Sequence, residues 1–369
     1  MSKQKNSTYR VIISGGGTGG HIYPAVAVAN EIRFQFPGTE ILFVGANGKM
    51  EMEKVPKEGF EIVGLPVRGL QRRLTLKNLL VPFVLLWSLI KAYSIVKKFK
   101  PNAVVGFGGY ASAPVLRMAE FIGIKTVLQE QNSYAGLTNK LLAKKSKCIC
   151  VAYPNMGTYF QKEKIVFTGN PVRGDIISLG NKSNLLFANY NLNPDKKTVL
   201  VVGGSLGART VNEAILANAK QLESLGIQVL WQCGSFYYKE IEERLAQLKT
   251  PNIHLREFIY DMDKAYTVAD IIVSRAGALS ISELCLVGKP TLLVPSPNVA
   301  EDHQTKNAMA LVKEDAAVMI KDTEISDTLV SSLTDLLQNE NKCQSLSQNI
   351  KALGKPDAAK DIVKTIFEL

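Results

Sequence analysis

Tyr9-Arg10-Val11-Ile12-Ile13-Ser14, running directly into Gly15-Gly16-Gly17-Thr18-Gly19-Gly20, decides the fold: a short apolar strand ends in a glycine turn. A helical pattern follows over Ala25 to Phe34 and is stopped by Pro37-Gly38. Strand, glycine turn and helix together are the opening unit of a doubly wound α/β domain. The same unit returns at Thr198–Val202 (TVLVV), which enters Gly203-Gly204-Ser205-Leu206-Gly207-Ala208 and a helix expected through Val211 to Gln221. Two openings imply two domains, and 369 residues are too many for one ordinary core.

Both halves continue as strand–helix alternation. The first offers strands at Ile41–Val44, Ala103–Val105, Thr126–Leu128 and Cys148–Val151, the second at Gln228–Gln232, Ile253–Leu255, Ile271–Ser274 and Thr291–Val294. Uninterrupted apolar strands of this kind are buried on both faces of a parallel sheet. The expected boundary lies near Gly169-Asn170-Pro171, and the polar stretch Gly180 to Lys197 reads as a surface loop. Two such domains in tandem are expected to open a cleft between the carboxyl ends of both sheets, where open α/β folds bind ligands.

The chain is 46% hydrophobic and 21% charged, the balance of a soluble globular protein, and its formal net charge of +11 points to a nucleic acid, anionic lipid or phosphorylated partner. Met1 to Arg10 lacks an apolar core, so no secretory signal is expected. The longest apolar run, Leu79 to Ile90 (LLVPFVLLWSLI), falls short of the roughly 20 residues that span a bilayer. The five cysteines show no zinc spacing and suit a reducing compartment. Between Glu61 and Glu120 there is no acidic residue, while Arg68, Arg72, Arg73, Lys77, Lys91, Lys97, Lys98, Lys100 and Arg117 fall inside. With Leu79, Leu80, Phe83 and Trp87 among them, this stretch reads as an interfacial helix on an anionic membrane, or as a core helix with a solvated basic rim. Aliphatic side chains stand where base-stacking aromatics would be needed, so no nucleic acid is expected.

The first glycine loop formally contains GxGxxG, but the acidic residue wanted about 20 residues on for a dinucleotide is missing. The second strand ends in Val44-Gly45-Ala46-Asn47, with no carboxylate before Glu51. His21-Ile22 stands where a P-loop requires Lys and Ser/Thr. What remains is a backbone cradle for phosphate at a helix N-terminus, or a tight packing turn. Gly106-Phe107-Gly108-Gly109-Tyr110 and Gly203–Gly207 have the same chemistry, and three cradles point to two phosphorylated ligands. His21 beside the first is a candidate to take a proton from an incoming hydroxyl, or a cap or phosphate ligand. In the second half Ser274-Arg275-Ala276-Gly277-Ala278-Leu279-Ser280-Ile281-Ser282-Glu283 leaves a strand for a helix, where a carboxylate can accept hydrogen bonds from neighbouring sugar hydroxyls. Asp302-His303-Gln304 follows the next strand, and Arg173 is a candidate phosphate clamp. Asp261-Met262-Asp263 has the form of a metal-binding Asp-x-Asp but reads as a helix start; no metal and no cofactor is expected.

These segments resemble the MurG family of UDP-N-acetylglucosamine transferases of peptidoglycan synthesis. The resemblance is carried in order by Gly16–His21 with Pro24-Ala25, Gly106–Tyr110, Gln129-Glu130-Gln131-Asn132 with Ala135–Asn139, and Gly169–Arg173. It continues through Gly203–Ala208, Glu257-Phe258-Ile259, Ser274–Glu283 and His303-Gln304, nearly the whole chain. It implies a GT-B fold of two Rossmann-like domains, 1–170 for acceptor and membrane and 171–352 for the nucleotide sugar. A C-terminal helix within 353–369 would return to the first domain. It implies inverting transfer of N-acetylglucosamine from UDP-N-acetylglucosamine to the C4 hydroxyl of muramyl-pentapeptide pyrophosphoryl-undecaprenol, at the cytoplasmic face of the plasma membrane. The alternatives are another GT-B transferase acting on a membrane lipid and a non-catalytic nucleotide-binding protein. By the same resemblance Ile259 flanks the uracil, and Ser205 and Arg173 meet the donor phosphates. Glu283 with Ala278, Leu279, Ser280, Ile281 and Ser282 holds ribose or sugar hydroxyls, and Gln304 and Asn132 contact the sugar. Thr18, Gly19 and Gly20 would lie at the domain seam. Gly16, Gly17, Gly108, Gly109 and Tyr110 would hold the acceptor diphosphate, with His21 as base. The chain departs from some relatives in carrying His303 before Gln304, where they have Gln, and Gln129 where His is frequent.

Overall fold

The structure, a computed structural model, describes residues 8–67, 81–204, 206–299 and 302–369. The chain forms two compact units, one running to Arg173 and completed by Pro356–Leu369, the other spanning Gly174–Lys355. In unit 1 the described strands are β1 (Arg10–Ser14), β2 (Glu40–Ala46), β3 (Glu61–Leu65), β4 (Ala103–Gly106), β5 (Lys125–Glu130), β6 (Cys148–Val151) and β7 (Ile165–Phe167). They pair in parallel in the order β3-β2-β1-β4-β5-β6-β7. Unit 2 holds β8 (Thr198–Val202), β9 (Gln228–Gln232), β10 (Ile253–Arg256), β11 (Ile271–Ser274), β12 (Thr291–Leu293) and β13 (Val318–Met319), parallel in the order β10-β9-β8-β11-β12-β13. Each is a doubly wound, Rossmann-like parallel sheet, as the two strand–glycine-turn–helix units led us to expect. In both, the strand order reverses beside the glycine-turn strand, between β1 and β4 and between β8 and β11, which is the switch point where such sheets bind ligands.

The burial of β1 shows why these runs form central strands. Val11 and Ile13 face one side, in a cluster with Val28, Ile32 and Phe43, while Ile12 faces the other with Val104, Leu116 and Val96. Side chains alternate across a strand, so a run apolar at every position needs cover on both faces. β8 repeats this, with Val199 and Val201 against Trp231 on one face and Leu200 against Leu230 and Ile272 on the other. Each such side chain is fully out of water, worth about 1.5–3 kcal/mol apiece. The helix Ala358–Phe367 supplies Ile362, Val363 and Ile366 to the same cluster as Val28 and Ile32. Its Phe367 ring stacks on Tyr9 and Phe36 at 4.4 and 4.0 Å between centroids.

Three local expectations are corrected. The first helix begins at Gly19 rather than Ala25, because the glycine loop itself winds into it; Pro24 sits inside, so the Gly20 carbonyl loses its helical donor. Gly180 to Lys197 is not simply a loop. It contains the helix Asn184–Asn189, capped by Ser183, and buries Phe187, Tyr190 and Leu192 in the core of unit 2. The helix expected through Val211 to Gln221 is two, Arg209–Ala217 and Ala219–Ser224. They part at Asn218, whose side-chain amide donates to the Ala214 and Ser326 carbonyls.

Candidate functional site

Parallel strands place every strand-to-helix turn of one unit at the same sheet edge, so residues far apart in sequence meet there. In unit 1 the turns after β1 and β4 are locked together: Phe107 N–H donates to the Ser14 carbonyl at 2.7 Å, and Ser112 Oγ lies 2.8 Å from the Ser14 and Gly108 carbonyls. His21 stands between them on the helix Gly19–Gln35. Its Nδ1 lies 2.9 Å from the Gly16 carbonyl oxygen and 3.3 Å from Thr18 Oγ1. A carbonyl oxygen only accepts, so Nδ1 carries a proton, and in the neutral ring Nε2 holds the lone pair. That nitrogen has no hydrogen-bond partner among the described residues; it faces Gly108, where a methyl group would stand 3.0 Å from it. Gly108 also has φ +93°, so glycine there satisfies both the turn and the imidazole.

Two buried carboxylates hold these turns, and reading the sequence for ligand contacts missed both roles. Glu51, fully buried at the start of the helix Glu51–Lys57, accepts from Gly17 N–H through Oε2 and from Ala46 N–H through Oε1, each at 2.9 Å. It is the acid discounted as a ribose ligand; its signal was its place heading a helix at the carboxyl end of the neighbouring strand. Glu130 at the end of β5 accepts from Asn132 N–H and Nδ2 through Oε1, and from Gly136 N–H and Asn139 Nδ2 through Oε2, at 2.8 to 3.3 Å. The remaining signature residues form a chain across the sheet edge. Gln129 Nε2 donates to Asn170 Oδ1 at 2.8 Å, Asn170 Nδ2 to the Gln131 carbonyl at 3.0 Å, and Gln131 Nε2 to the Phe107 carbonyl at 2.8 Å. Gly16 is buried, Gly17, Thr18 and Gly20 are exposed, and Tyr110 is 61% exposed at the tip of the second loop. Arg173 is exposed at the last position of unit 1.

In unit 2 the turns after β8, β9, β10, β11 and β12 share one edge. Gln232 joins three of them: its Nε2 donates to the Gly204 carbonyl at 3.2 Å and its Oε1 accepts from Ile259 N–H at 2.8 Å. Gly207 packs so closely that an added methyl group would meet the Cys233 carbonyl oxygen at 2.0 Å. Ile259 is 3% exposed, so its side chain belongs to the core; the groups open to a planar ligand are Phe258 and Tyr260 on either side, 40% and 80% exposed. Ile281 is buried likewise at 2%. The helix Ala278–Val287 carries Leu279, Ser280, Ser282 and Glu283, with Ser282 Oγ turned back to the Ala278 carbonyl. Glu283 lies on the second turn and accepts from Tyr266 Oη at 3.2 Å. Gln304 Oε1 accepts from Ser296 N–H at 2.9 Å, which leaves its amino group as the donor it has to offer. Behind these turns Arg275 pairs with Asp322 and donates to the Val294 carbonyl and Thr210 Oγ1, tying three strand ends together. Asp261 stands at the N-cap position of the helix Met262–Val268 and its carboxylate pairs with Lys264. Ser205, Leu79 and Leu80 lie outside the described residues.

The helix Val81–Phe99 buries Ser88, Ala92 and Val96 and turns Phe83, Leu86, Trp87 and Ile90 outward, 53% to 72% exposed. Among the described residues no helix is long and apolar enough to cross a membrane.

Comparison with known proteins places this geometry. Residues 11–151 match the Glycosyltransferase family 28 N-terminal domain and residues 198–362 the Glycosyltransferase family 28 C-terminal domain. A relative from Cytophaga hutchinsonii, named UDP-N-acetylglucosamine–N-acetylmuramyl-(pentapeptide) pyrophosphoryl-undecaprenol N-acetylglucosamine transferase, is 54% identical, covering 100% of this chain and 98% of its own. The protein of the same name from Flavobacterium psychrophilum is 50% identical over 98% of both chains. Among solved structures, MurG from Acinetobacter baumannii superposes with a TM-score of 0.79 at 29% identity, over 98% of this chain and 100% of that one.

Proposed function

The chain belongs to glycosyltransferase family 28, among the MurG-type enzymes, and from that premise we propose how its two units divide one reaction. It transfers N-acetylglucosamine from UDP-N-acetylglucosamine to muramyl-pentapeptide pyrophosphoryl-undecaprenol. Unit 2 holds the donor: Phe258 and Tyr260 with the Ile259 backbone flank the uracil, and Glu283 with Ala278–Ser282 holds hydroxyls. Gln304 meets the sugar and Ser205 the phosphates, to which Arg173, the last residue of unit 1, is assigned as well. Unit 1 holds the acceptor, its diphosphate at Gly16, Gly17, Gly108, Gly109 and Tyr110, with Thr18, Gly19, Gly20 and Asn132 beside the transferred sugar. His21 Nε2 takes the proton of the muramyl C4 hydroxyl as that oxygen attacks the anomeric carbon, and UDP leaves from the opposite face with inversion. Charge building on the departing phosphate is met by Arg173 and backbone N–H groups. The observation that carries this reading is the open Nε2 lone pair of His21, fixed between two glycine turns by the Gly16 carbonyl. Radiolabelled UDP-N-acetylglucosamine with a lipid-linked muramyl-pentapeptide acceptor should give labelled product. Absence of product, or transfer to diacylglycerol instead, would overturn it.

The exposed face of Val81–Phe99 supports a peripheral site on the cytoplasmic face of the plasma membrane, beside the lipid-borne acceptor. Phe83, Leu86, Trp87 and Ile90 offer apolar contact, and Lys97 and Lys98 close the helix with positive charge. Replacing Phe83 and Trp87 together by Asp is expected to weaken binding to anionic vesicles by about tenfold or more, from the lost burial of two rings. Co-sedimentation measures it, and transfer to a water-soluble acceptor should be preserved. Unchanged sedimentation would remove this face from the proposal.

A further inference from the structure

The hydrogen bonds around His21 continue past the carbonyl that orients it. Gly16 C=O, which accepts from His21 Nδ1, and Gly17 N–H, which donates to Glu51 Oε2, belong to one peptide group. A carboxylate at one end of an amide draws its N–H and enriches its carbonyl oxygen, and hydrogen bonds in series strengthen one another where water is excluded. Glu51 is fully buried, and its second oxygen is taken by Ala46 N–H, so it is fixed in this role. Gly16 and Gly45 pack directly on it: a methyl group at Gly16 would overlap the carboxylate, and one at Gly45 would meet its Cγ at 2.5 Å. The two glycines thus make room for the acid.

We propose that Glu51 is a positioning residue for transfer, acting on His21 through the Gly16–Gly17 peptide so that the imidazolium formed when Nε2 takes the acceptor proton is stabilised. The amide carries polarisation and no proton; the proton stays on Nε2 until it leaves to solvent. Several other charged groups on elements packed against the His21 helix are paired at the surface. Glu53 pairs with Lys57, Lys360 with Asp357 and Lys364 with Glu368, all at the surface. Lys54 and Asp361 lie on the same two helices, and Tyr110 on the loop after β4. Glu51 is the acid bonded into the loop that holds the ring. The proposal rests on His21 being the base, and its test separates the two ideas.

The test is the imidazole titration followed by nuclear magnetic resonance, practicable because the chain has three histidines. In Glu51→Gln the His21 midpoint should move to lower pH by about half a unit or more, as expected for losing one charge on the far side of a single peptide group. The acid limb of kcat/KM should move with it, Glu51→Asp should fall between, and the His254 and His303 midpoints should stay. A loss of kcat with the His21 midpoint unmoved would reduce Glu51 to a structural role and overturn the proposal. Should Glu51→Gln fail to fold, the wild-type Gly17 amide decides: its proton shift is expected to titrate with His21, and a flat trace would overturn the relay. If His21→Ala kept full turnover, the assignment of the base would fall while this titration still answered for the relay.

Discussion

His21→Ala is expected to lower kcat by roughly 10²–10⁴-fold, the usual contribution of a positioned general base. The side chain is small, partly exposed and bonded only to its own loop, so the unfolding midpoint should barely move. The KM for the nucleotide sugar should also hold, because Phe258, Glu283 and Gln304 belong to unit 2. Steady-state transfer assays beside a thermal melt separate these quantities. A variant that keeps its turnover would remove His21 from the chemistry and leave it as a cap of the first helix.

Glu130→Ala should be the most destabilising single change at the unit 1 sheet edge, at about 4 kcal/mol. The carboxylate is 1% exposed and accepts four N–H bonds, from Asn132 twice, Gly136 and Asn139. Removing it strands one buried donor, on Asn139, and three part-buried ones, at about 1–3 kcal/mol for each that water cannot reach. Urea unfolding would show this as a lowered midpoint at unchanged slope. The loop carrying Asn132 and the Gln131–Phe107 bond should loosen too, so turnover in the folded fraction should fall. A variant as stable as the wild type would mean that water replaces the carboxylate freely.

The central strands were legible because burial on both faces leaves an unbroken apolar run: Cys148–Val151, Thr198–Val202, Gln228–Gln232 and Ile271–Ser274 have the bounds read from sequence. β3, β7 and β13 were not read. Each is an outer strand of its sheet, short or of mixed polarity, with Glu61 exposed in one and Phe167 in another. At the candidate site the glycine turns and the residues beside them were visible, because glycines between an apolar strand and a helix start mark a tight turn at the sheet edge. What holds the turns was not. Glu51, Gln129 and Gln232 reach partners 28 to 41 residues away, set by tertiary placement that no local spacing encodes, while Glu130 closes its own loop onto Asn132, Gly136 and Asn139. Ile259 shows the converse: it stands in a signature segment, yet the residue is 3% exposed and its N–H is taken by Gln232 Oε1, while its neighbours Phe258 and Tyr260 are open.

The helix Ala358–Phe367 makes unit 1 discontinuous, with Ile362, Val363 and Ile366 filling the layer behind β1. During vectorial synthesis, therefore, the half that emerges first from the ribosome stays unfinished until all of Gly174–Lys355 has been translated. Until then the apolar flank of Gly19–Gln35, with Val28 and Ile32, lacks its native cover. Unit 1 is thus born first and sealed last, and its uncovered apolar surface is prone to aggregation throughout that interval.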